Sequence, residues 1–207
     1  MNTPITIALP KGRLFEKTSA LLDRCGYHLE LGERRLVATE RSESLKAILV
    51  KNTDLPTYVH HGIAGLGICG SDVIYESGYE FFELLTMPFG KTRICLAGRK
   101  DDEIDHRDAT SITVASKFTR FARDFFHARG IPASVIRLNG SVELAPVLGL
   151  APYIVDLVET GSTLRAHDLE VKEVLGETEV KLVANPAFYK YSYKAVDAFV
   201  SNLRKVL

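Results

Sequence analysis

The chain has 207 residues, 46% of them hydrophobic and 25% charged, which is the balance of a globular protein with apolar material for one large domain or two small lobes, and which excludes wholesale disorder. Lys plus Arg and Asp plus Glu both number 26, so no global field exists to recruit nucleic acid or an anionic membrane. Any anionic ligand has to be held by local groups.

The chain begins Met1-Asn2-Thr3-Pro4 and runs straight into Ile5-Thr6-Ile7-Ala8-Leu9, without the basic stretch, long apolar stretch and cleavage site of a secretory signal. No apolar run approaches the roughly 20 residues of a bilayer span, and a cytoplasmic location is the expectation. Residues 5–9 read as a buried strand. From Arg13, the positions Leu14, Thr18, Leu21, Leu22 and Cys25 recur at helical spacing, and Gly26 follows where a helix ends in the left-handed conformation. Short apolar runs at 45–50, 66–69, 93–97, 112–115, 135–138 and 154–158 read as further strands, each ending in a turn with Gly, Ser or Asp. Residues 117–129 carry Phe118, Phe121, Ala122, Phe125 and Phe126 on one helical stripe that stops at Gly130-Ile131-Pro132. After the breaker Asn185-Pro186, the positions Tyr189, Tyr193, Val196, Phe199, Val200, Leu203 and Val206 predict a closing amphipathic helix.

Alternation of strand and helix signals predicts an α/β fold around a largely parallel sheet. Phe89-Gly90-Lys91-Thr92 and the region after Leu175-Gly176-Glu177 read as crossovers, which divides the chain into one lobe from 1–90 plus 178–207 and an inserted lobe at 91–177. Cys25, Cys69 and Cys95 lie far apart with no CxxC pair, and the six histidines show no ligand spacing, so neither zinc nor disulfides are signalled. The cysteines read as small core hydrophobes. No GxSxG elbow occurs, which points to chemistry without a protein nucleophile.

The strongest local signal is Val155-Asp156-Leu157-Val158-Glu159-Thr160-Gly161-Ser162-Thr163-Leu164, a strand entering a helix through a hydroxyl-rich turn. Amides at a helix start point outward unpaired at the positive end of the dipole, so such a turn can seat a phosphate, with Gly161 allowing close approach and Thr160, Ser162 and Thr163 donating hydroxyls. Asp156 and Glu159 would then accept from sugar hydroxyls or join a Mg²⁺ shell with phosphate oxygens. Taken alone, the turn reads more readily as an ordinary N-cap made by Ser162 or Thr160. Lys11-Gly12-Arg13 follows the first strand, where cations at a helix start oppose the dipole and so suggest an anionic partner; a solvated basic turn is the alternative. Gly70-Ser71-Asp72 and Asn139-Gly140-Ser141-Val142-Glu143 are two more strand-to-helix turns, with Asp72 placed to cap or to meet a hydroxyl, Ser141 to cap and Glu143 in the first turn of its helix.

At these residues the sequence resembles the ATP phosphoribosyltransferase family. The resemblance runs through Ala8-Leu9-Pro10-Lys11-Gly12-Arg13-Leu14, Asp54-Leu55-Pro56-Thr57-Tyr58-Val59, Leu66-Gly67-Ile68-Cys69-Gly70-Ser71-Asp72, Leu138-Asn139-Gly140-Ser141-Val142-Glu143-Leu144-Ala145-Pro146, and Asp156 through Leu164. It implies a two-lobed fold like that of type II periplasmic binding proteins with substrates between the lobes, and the short form of the family. That form works as a hetero-oligomer with a regulatory subunit similar to histidyl-tRNA synthetase, its catalytic subunit being dimeric alone. It implies transfer of phosphoribosyl from phosphoribosyl pyrophosphate to N1 of ATP, the first step of histidine biosynthesis, with Mg²⁺ carried on the substrates and no metal ligated directly by protein. The 5′-phosphate would lie on Glu159, Thr160, Gly161, Ser162, Thr163 and Leu164, and the ribose on Asp156 and Glu143. Lys11, Arg13 and Lys51 would act on pyrophosphate or ATP phosphates, with Gly12, Gly70, Ser71 and Asp72 lining the nucleotide region. Lys51 stands ahead of the Asp54-Leu55-Pro56 motif where the family commonly has arginine; it keeps the charge and lacks the planar fork. A phosphoribosyltransferase acting on a free base, or a solute-binding module of the same architecture, are the other readings.

Overall fold

In the computed structural model the described residues are 4–31, 37–40, 44–101 and 111–207. In chain order the elements are β1 (Ile5–Pro10), α1 (Arg13–Arg24), β2 (Leu29–Leu31), β3 (Val37–Glu40), β4 (Leu45–Val50), α2 (Leu55–His60), β5 (Leu66–Gly70), α3 (Ser71–Ser77), β6 (Phe82–Thr86), β7 (Thr92–Arg99), β8 (Ile112–Ser116), α4 (Thr119–Ala128), β9 (Ala133–Arg137), α5 (Leu144–Val147), β10 (Tyr153–Val158), α6 (Ser162–Ala166), β11 (Leu169–Thr178), β12 (Val180–Ala184) and α7 (Pro186–Arg204). The chain divides into two compact units, Met1–Gly90 with Glu179–Leu207, and Lys91–Thr178.

The first unit is built on a sheet in the order β2-β3-β4-β1-β5-β12-β6. Its centre is parallel, β1 lying between β4 and β5, while β2, β3, β12 and β6 all join antiparallel. The second unit has the order β11-β7-β10-β8-β9, with β8, β9 and β10 parallel and β7 and β11 antiparallel. The expected largely parallel sheet is therefore corrected to two mixed sheets. Each keeps a parallel core completed by antiparallel strands, of which β7 matches the run at 93–97 and β2, β3, β6, β11 and β12 were not revealed by sequence periodicity.

In the first unit, Ile7, Leu9, Leu66, Ile68 and Leu182 pack with Leu22 of α1 and with Val196, Phe199 and Leu203 of α7. Of the stripe read from the sequence, Val196, Phe199, Val200 and Leu203 form the buried face of α7, while Tyr193 is exposed and Val206 lies past the end of the helix. Asn185 caps that helix, its Oδ1 accepting from the Phe188 amide at 2.9 Å, while its Nδ2 donates to the Val59 and His60 carbonyls at 3.0 and 2.9 Å. One side chain thus satisfies orphan groups at the start of α7 and the end of α2. In the second unit, Ala122 and Phe126 of α4 pack on Leu96, Val114 and Val155.

Gly65 has no room for a side chain, because the Phe188 ring occupies the place a Cβ would take. Gly65→Ala is expected to destabilise the protein by about 1–3 kcal/mol through overpacking, read as a lower midpoint in urea unfolding. No helix among the described residues is long and apolar enough to cross a membrane.

Candidate active site

In the first unit the three parallel strands carry chemistry-bearing turns at one edge of the sheet. Pro10 is the register partner of Val50, and Ile7 and Ala8 pair with Leu66 and Gly67, so the carboxyl ends of β1, β4 and β5 lie side by side. Lys11, Gly12 and Arg13 follow β1, Lys51 follows β4, and Gly70, Ser71 and Asp72 close β5 and open α3. The Lys11 amide donates to the Val50 carbonyl at 3.2 Å, which joins the first two turns. Gly12, at φ 84°, precedes α1, and its carbonyl accepts from the Phe15 and Glu16 amides. Lys11, Arg13 and Lys51 are all exposed, and Arg13 occupies the first position of α1. The Lys51 carbonyl accepts from the Asp54 and Leu55 amides at 3.0 and 3.1 Å, folding the turn into α2. Beside Lys51, the buried Oδ1 of Asn52 has no hydrogen-bond partner among the described residues. An unsatisfied acceptor costs about 1–3 kcal/mol, and no sequence pattern announced it.

The β5 turn is tied down more tightly. The Ser71 amide donates to the Glu179 carbonyl at 2.8 Å, and the Ser71 hydroxyl accepts from the Glu179 amide at 3.1 Å. Ser71 thus secures the start of α3 to the segment entering β12. Asp72 is buried in the first turn of α3, and its carboxylate folds over Gly70, where a Cβ would strike it. Burial pushes the Cys69 thiol far up, with the carboxylates of Asp72 and Glu83 adding to the effect, and burial also raises Cys25 and Cys95 against the opposing charges of Arg24 and Arg93. Thiols held neutral in this way are poor nucleophiles.

The second unit repeats the arrangement. Ser116 is the register partner of both Val155 and Arg137, so β8 and β9 end together while β10 runs on to Val158 beside β7. The buried Ser116 hydroxyl donates to the Val155 carbonyl at 2.6 Å and accepts from the Phe118 amide at 2.8 Å. Lys117, the next residue, places Nζ 3.2 Å from Oδ1 of Asp156, and the same oxygen accepts from the Leu157 amide at 2.8 Å.

After β9 the Leu138 amide donates to the Ser116 carbonyl at 3.1 Å, and Ser141 follows with φ 48°. The expected cap by Ser141 is not made. Glu143 itself occupies the N-cap position of the four-residue α5, so the helix starts two residues later than a Ser141 cap implies, and Ser141 contributes its carbonyl to the Leu144 amide at 3.1 Å rather than its hydroxyl. Its left-handed backbone turns the chain before the hydroxyl could reach the helix start.

After β10, Glu159 and Thr160 are exposed, Gly161 adopts φ 72° and ψ 10° as the N-cap of α6, and Ser162 and Thr163 are exposed in the first turn. Thr160 Oγ1 lies 3.1 Å from the Ser162 hydroxyl and accepts from the Ser162 amide at 3.4 Å, a long bond that leaves the helix start without a firm side-chain cap. Arg165 closes back on the turn, its Nη1 donating to the Thr160 carbonyl at 3.0 Å. The Leu164 side chain is buried with Val142, Ala145 and Val158, which anchors the turn to the core. The structure thus gathers Glu143, Asp156 and residues 159–163 at one strand edge of the second unit, and adds Lys117 and Arg165, which the sequence reading missed. The only signal of Lys117 was a cation directly after a strand.

Among the described residues, no group of three or more His, Cys, Asp or Glu is placed to hold a metal ion. The family model described as HisG, ATP phosphoribosyltransferase, matches residues 51–205. The chain belongs to the ATP phosphoribosyltransferase family. It is 39% identical over 210 residues to the ATP phosphoribosyltransferase of Brachyspira hyodysenteriae, covering 98% of this chain and 100% of that one. It is 40% identical over 207 residues to that of Sorangium cellulosum, covering 99% and 96%. Among solved structures it is similar to the ATP phosphoribosyl transferase (HisG:HisZ) complex from Thermotoga maritima, with a TM-score of 0.86, 32% identity and 98% of each chain covered. The periplasmic aliphatic sulphonate binding protein SsuA from Escherichia coli matches at a TM-score of 0.64 and 11% identity over 100% of this chain and 73% of that one, a likeness of fold alone. The fold is accordingly α/β of the type II periplasmic-binding-protein kind, and the activity class is pentosyl transfer in histidine biosynthesis.

Proposed function

We propose that the family reaction is carried out on this chain by the two strand-edge groups described above, one for the phosphoribosyl donor and one for the nucleotide and the leaving group. The donor is phosphoribosyl pyrophosphate. Its 5′-phosphate is received by the turn of Glu159, Thr160, Gly161, Ser162, Thr163 and Leu164, the last through its backbone, and its ribose hydroxyls by Asp156 and Glu143. The observation that carries this reading is the left-handed Gly161 at the start of α6, flanked by the exposed hydroxyls of Thr160, Ser162 and Thr163. The turn presents amides and hydroxyls together, which is what a dianionic monoester requires.

Lys11, Arg13 and Lys51 supply cations for pyrophosphate or ATP phosphates, with Gly12, Gly70 and Asp72 forming the backbone beside them and Ser71 holding that backbone in place. N1 of the adenine forms a bond to the anomeric carbon as the bond to the pyrophosphate oxygen breaks, through an oxocarbenium-like state. No covalent bond to the protein forms. Alignment of the two substrates accounts for roughly 7–11 kcal/mol of barrier lowering, and cations on the departing pyrophosphate add to it. Mg²⁺ arrives on the phosphate oxygens of the substrates and, when bound, offsets their charge.

The Thermotoga maritima relative is titled as a complex of HisG with HisZ. A regulatory subunit of that kind, resembling histidyl-tRNA synthetase, is proposed as the partner of this chain, which forms a dimer by itself and works in the cytoplasm. The test is to mix the purified chain with Mg²⁺, ATP and phosphoribosyl pyrophosphate and to separate the products. N1-ribosylated ATP with pyrophosphate supports the reading. Product from orotate or a free purine but not from ATP, or ligand binding without any product in the presence of the partner, overturns it.

A further inference from the structure

We propose that Lys117 positions Asp156 for the ribose of the donor; the inference rests on the reading of Asp156 as a ribose acceptor. Strand order creates the pairing. β8 and β10 are parallel neighbours with Ser116 opposite Val155, so Lys117, the first residue past β8, lies level with Asp156, which is still within β10 and paired with Cys95 of β7. The Ser116 hydroxyl, bonded at once to the Val155 carbonyl and the Phe118 amide, locks the backbone on both sides of Lys117. The ammonium lies 4.8 Å from the centroid of the Phe118 ring, which steers the side chain on its way to the carboxylate.

The carboxylate is held in an asymmetric way. Oδ1 of Asp156 receives both the Lys117 ammonium at 3.2 Å and the Leu157 amide at 2.8 Å, and Oδ2 has no hydrogen bond among the described residues. Two donors on one oxygen fix the rotamer and the plane of the group, and they leave the second oxygen to accept hydroxyls of a sugar. Removing Lys117 leaves Asp156 anchored by its own neighbour's amide alone, free to turn about the bond that sets the position of Oδ2. The side chains are 39% and 25% exposed, and an ion pair this open to water contributes little to stability. Its loss is therefore read in substrate binding and not in melting.

The experiment uses the full chain with its regulatory partner and compares Lys117→Met, Lys117→Arg, Asp156→Asn and the Met/Asn double variant. Lys117→Met is expected to raise KM for phosphoribosyl pyrophosphate by roughly three- to thirtyfold, the range of coupling between contacting residues, with KM for ATP and the thermal midpoint unchanged. Lys117→Arg restores most of the loss, since it keeps a donor to Oδ1. In the double variant KM rises no further than in Asp156→Asn alone, because Lys117 acts only through that carboxylate. Additive effects in the double variant, or a normal KM in Lys117→Met beside a raised one in Asp156→Asn, overturn the positioning role and leave the ribose reading intact. A normal KM in Asp156→Asn overturns the ribose reading itself and the positioning role with it.

Discussion

Arg13→Ala is expected to lower kcat by roughly 10²- to 10³-fold, the usual cost of removing one group that stabilises charge developing in a transition state. Lys11→Ala should act in the same direction. The reasoning starts from helix electrostatics. Arg13 is the first residue of α1, at the positive end of the helix dipole, where a cation is unfavourable to the helix itself. Its side chain is exposed, so truncation removes little packing and changes stability by less than about 1 kcal/mol. Arg13 follows Lys11 at the strand edge that also carries the Lys51 turn, so an anion received there meets several cations. If that anion is the departing pyrophosphate, the charge it carries grows as the bond to the anomeric carbon breaks, and the loss falls on turnover. A variant with unchanged kcat and only a raised KM would show instead that Arg13 binds ground state and transition state alike, and the leaving-group role would be lost.

Gly161→Val is expected to raise KM for phosphoribosyl pyrophosphate by roughly ten- to a hundredfold. A β-branched residue held at a left-handed backbone costs about 1–3 kcal/mol, and each 1.4 kcal/mol is about tenfold in an equilibrium constant. A new Cβ would also lie 3.3 Å from Nη1 of Arg165, the group that fixes the Thr160 carbonyl, so the turn cannot relax without releasing its own brace. Gly161→Asn is the control, because asparagine tolerates this conformation better than other side chains. It should keep most of the affinity. Equal loss in both variants would mean that bulk, not backbone conformation, is what the turn excludes; no loss in either would remove the turn from the donor site.

Much of this architecture was legible because buried parallel strands leave continuous apolar runs. β4 was bounded to the residue, β1, β5, β8 and β10 to within one residue at either end, and the stripe on α7 and the glycine closing α1 marked real boundaries. Of the antiparallel strands β7 was read at 93–97, while β2, β3, β6, β11 and β12 were missed, β6 and β11 for identifiable reasons. β6 is a five-residue sheet edge, Phe82-Glu83-Leu84-Leu85-Thr86, whose register against β12 slips past Leu84, so its apolar residues do not alternate with polar ones. β11 is interrupted twice against β7, between Val171 and Glu173 and between Val174 and Gly176, and each irregularity breaks the alternation that identifies a strand. The site was legible as a set of turns but not as a set of contacts. The bond from Lys117 to Asp156 depends on which strands are neighbours, and the return of Arg165 onto Thr160 depends on a side-chain path that no spacing rule encodes.

The placement of β12 bears on how the polypeptide is made. β12 lies between β5 and β6 in the finished sheet, yet it is synthesised after the whole of the second unit. On the ribosome, β6 therefore waits without a neighbouring strand until the whole of the second unit has been translated, by which time the contiguous segment Lys91–Thr178 has every strand of its own sheet. The nascent first unit exposes apolar strand surface for most of translation, which is the period in which chaperones have something to hold.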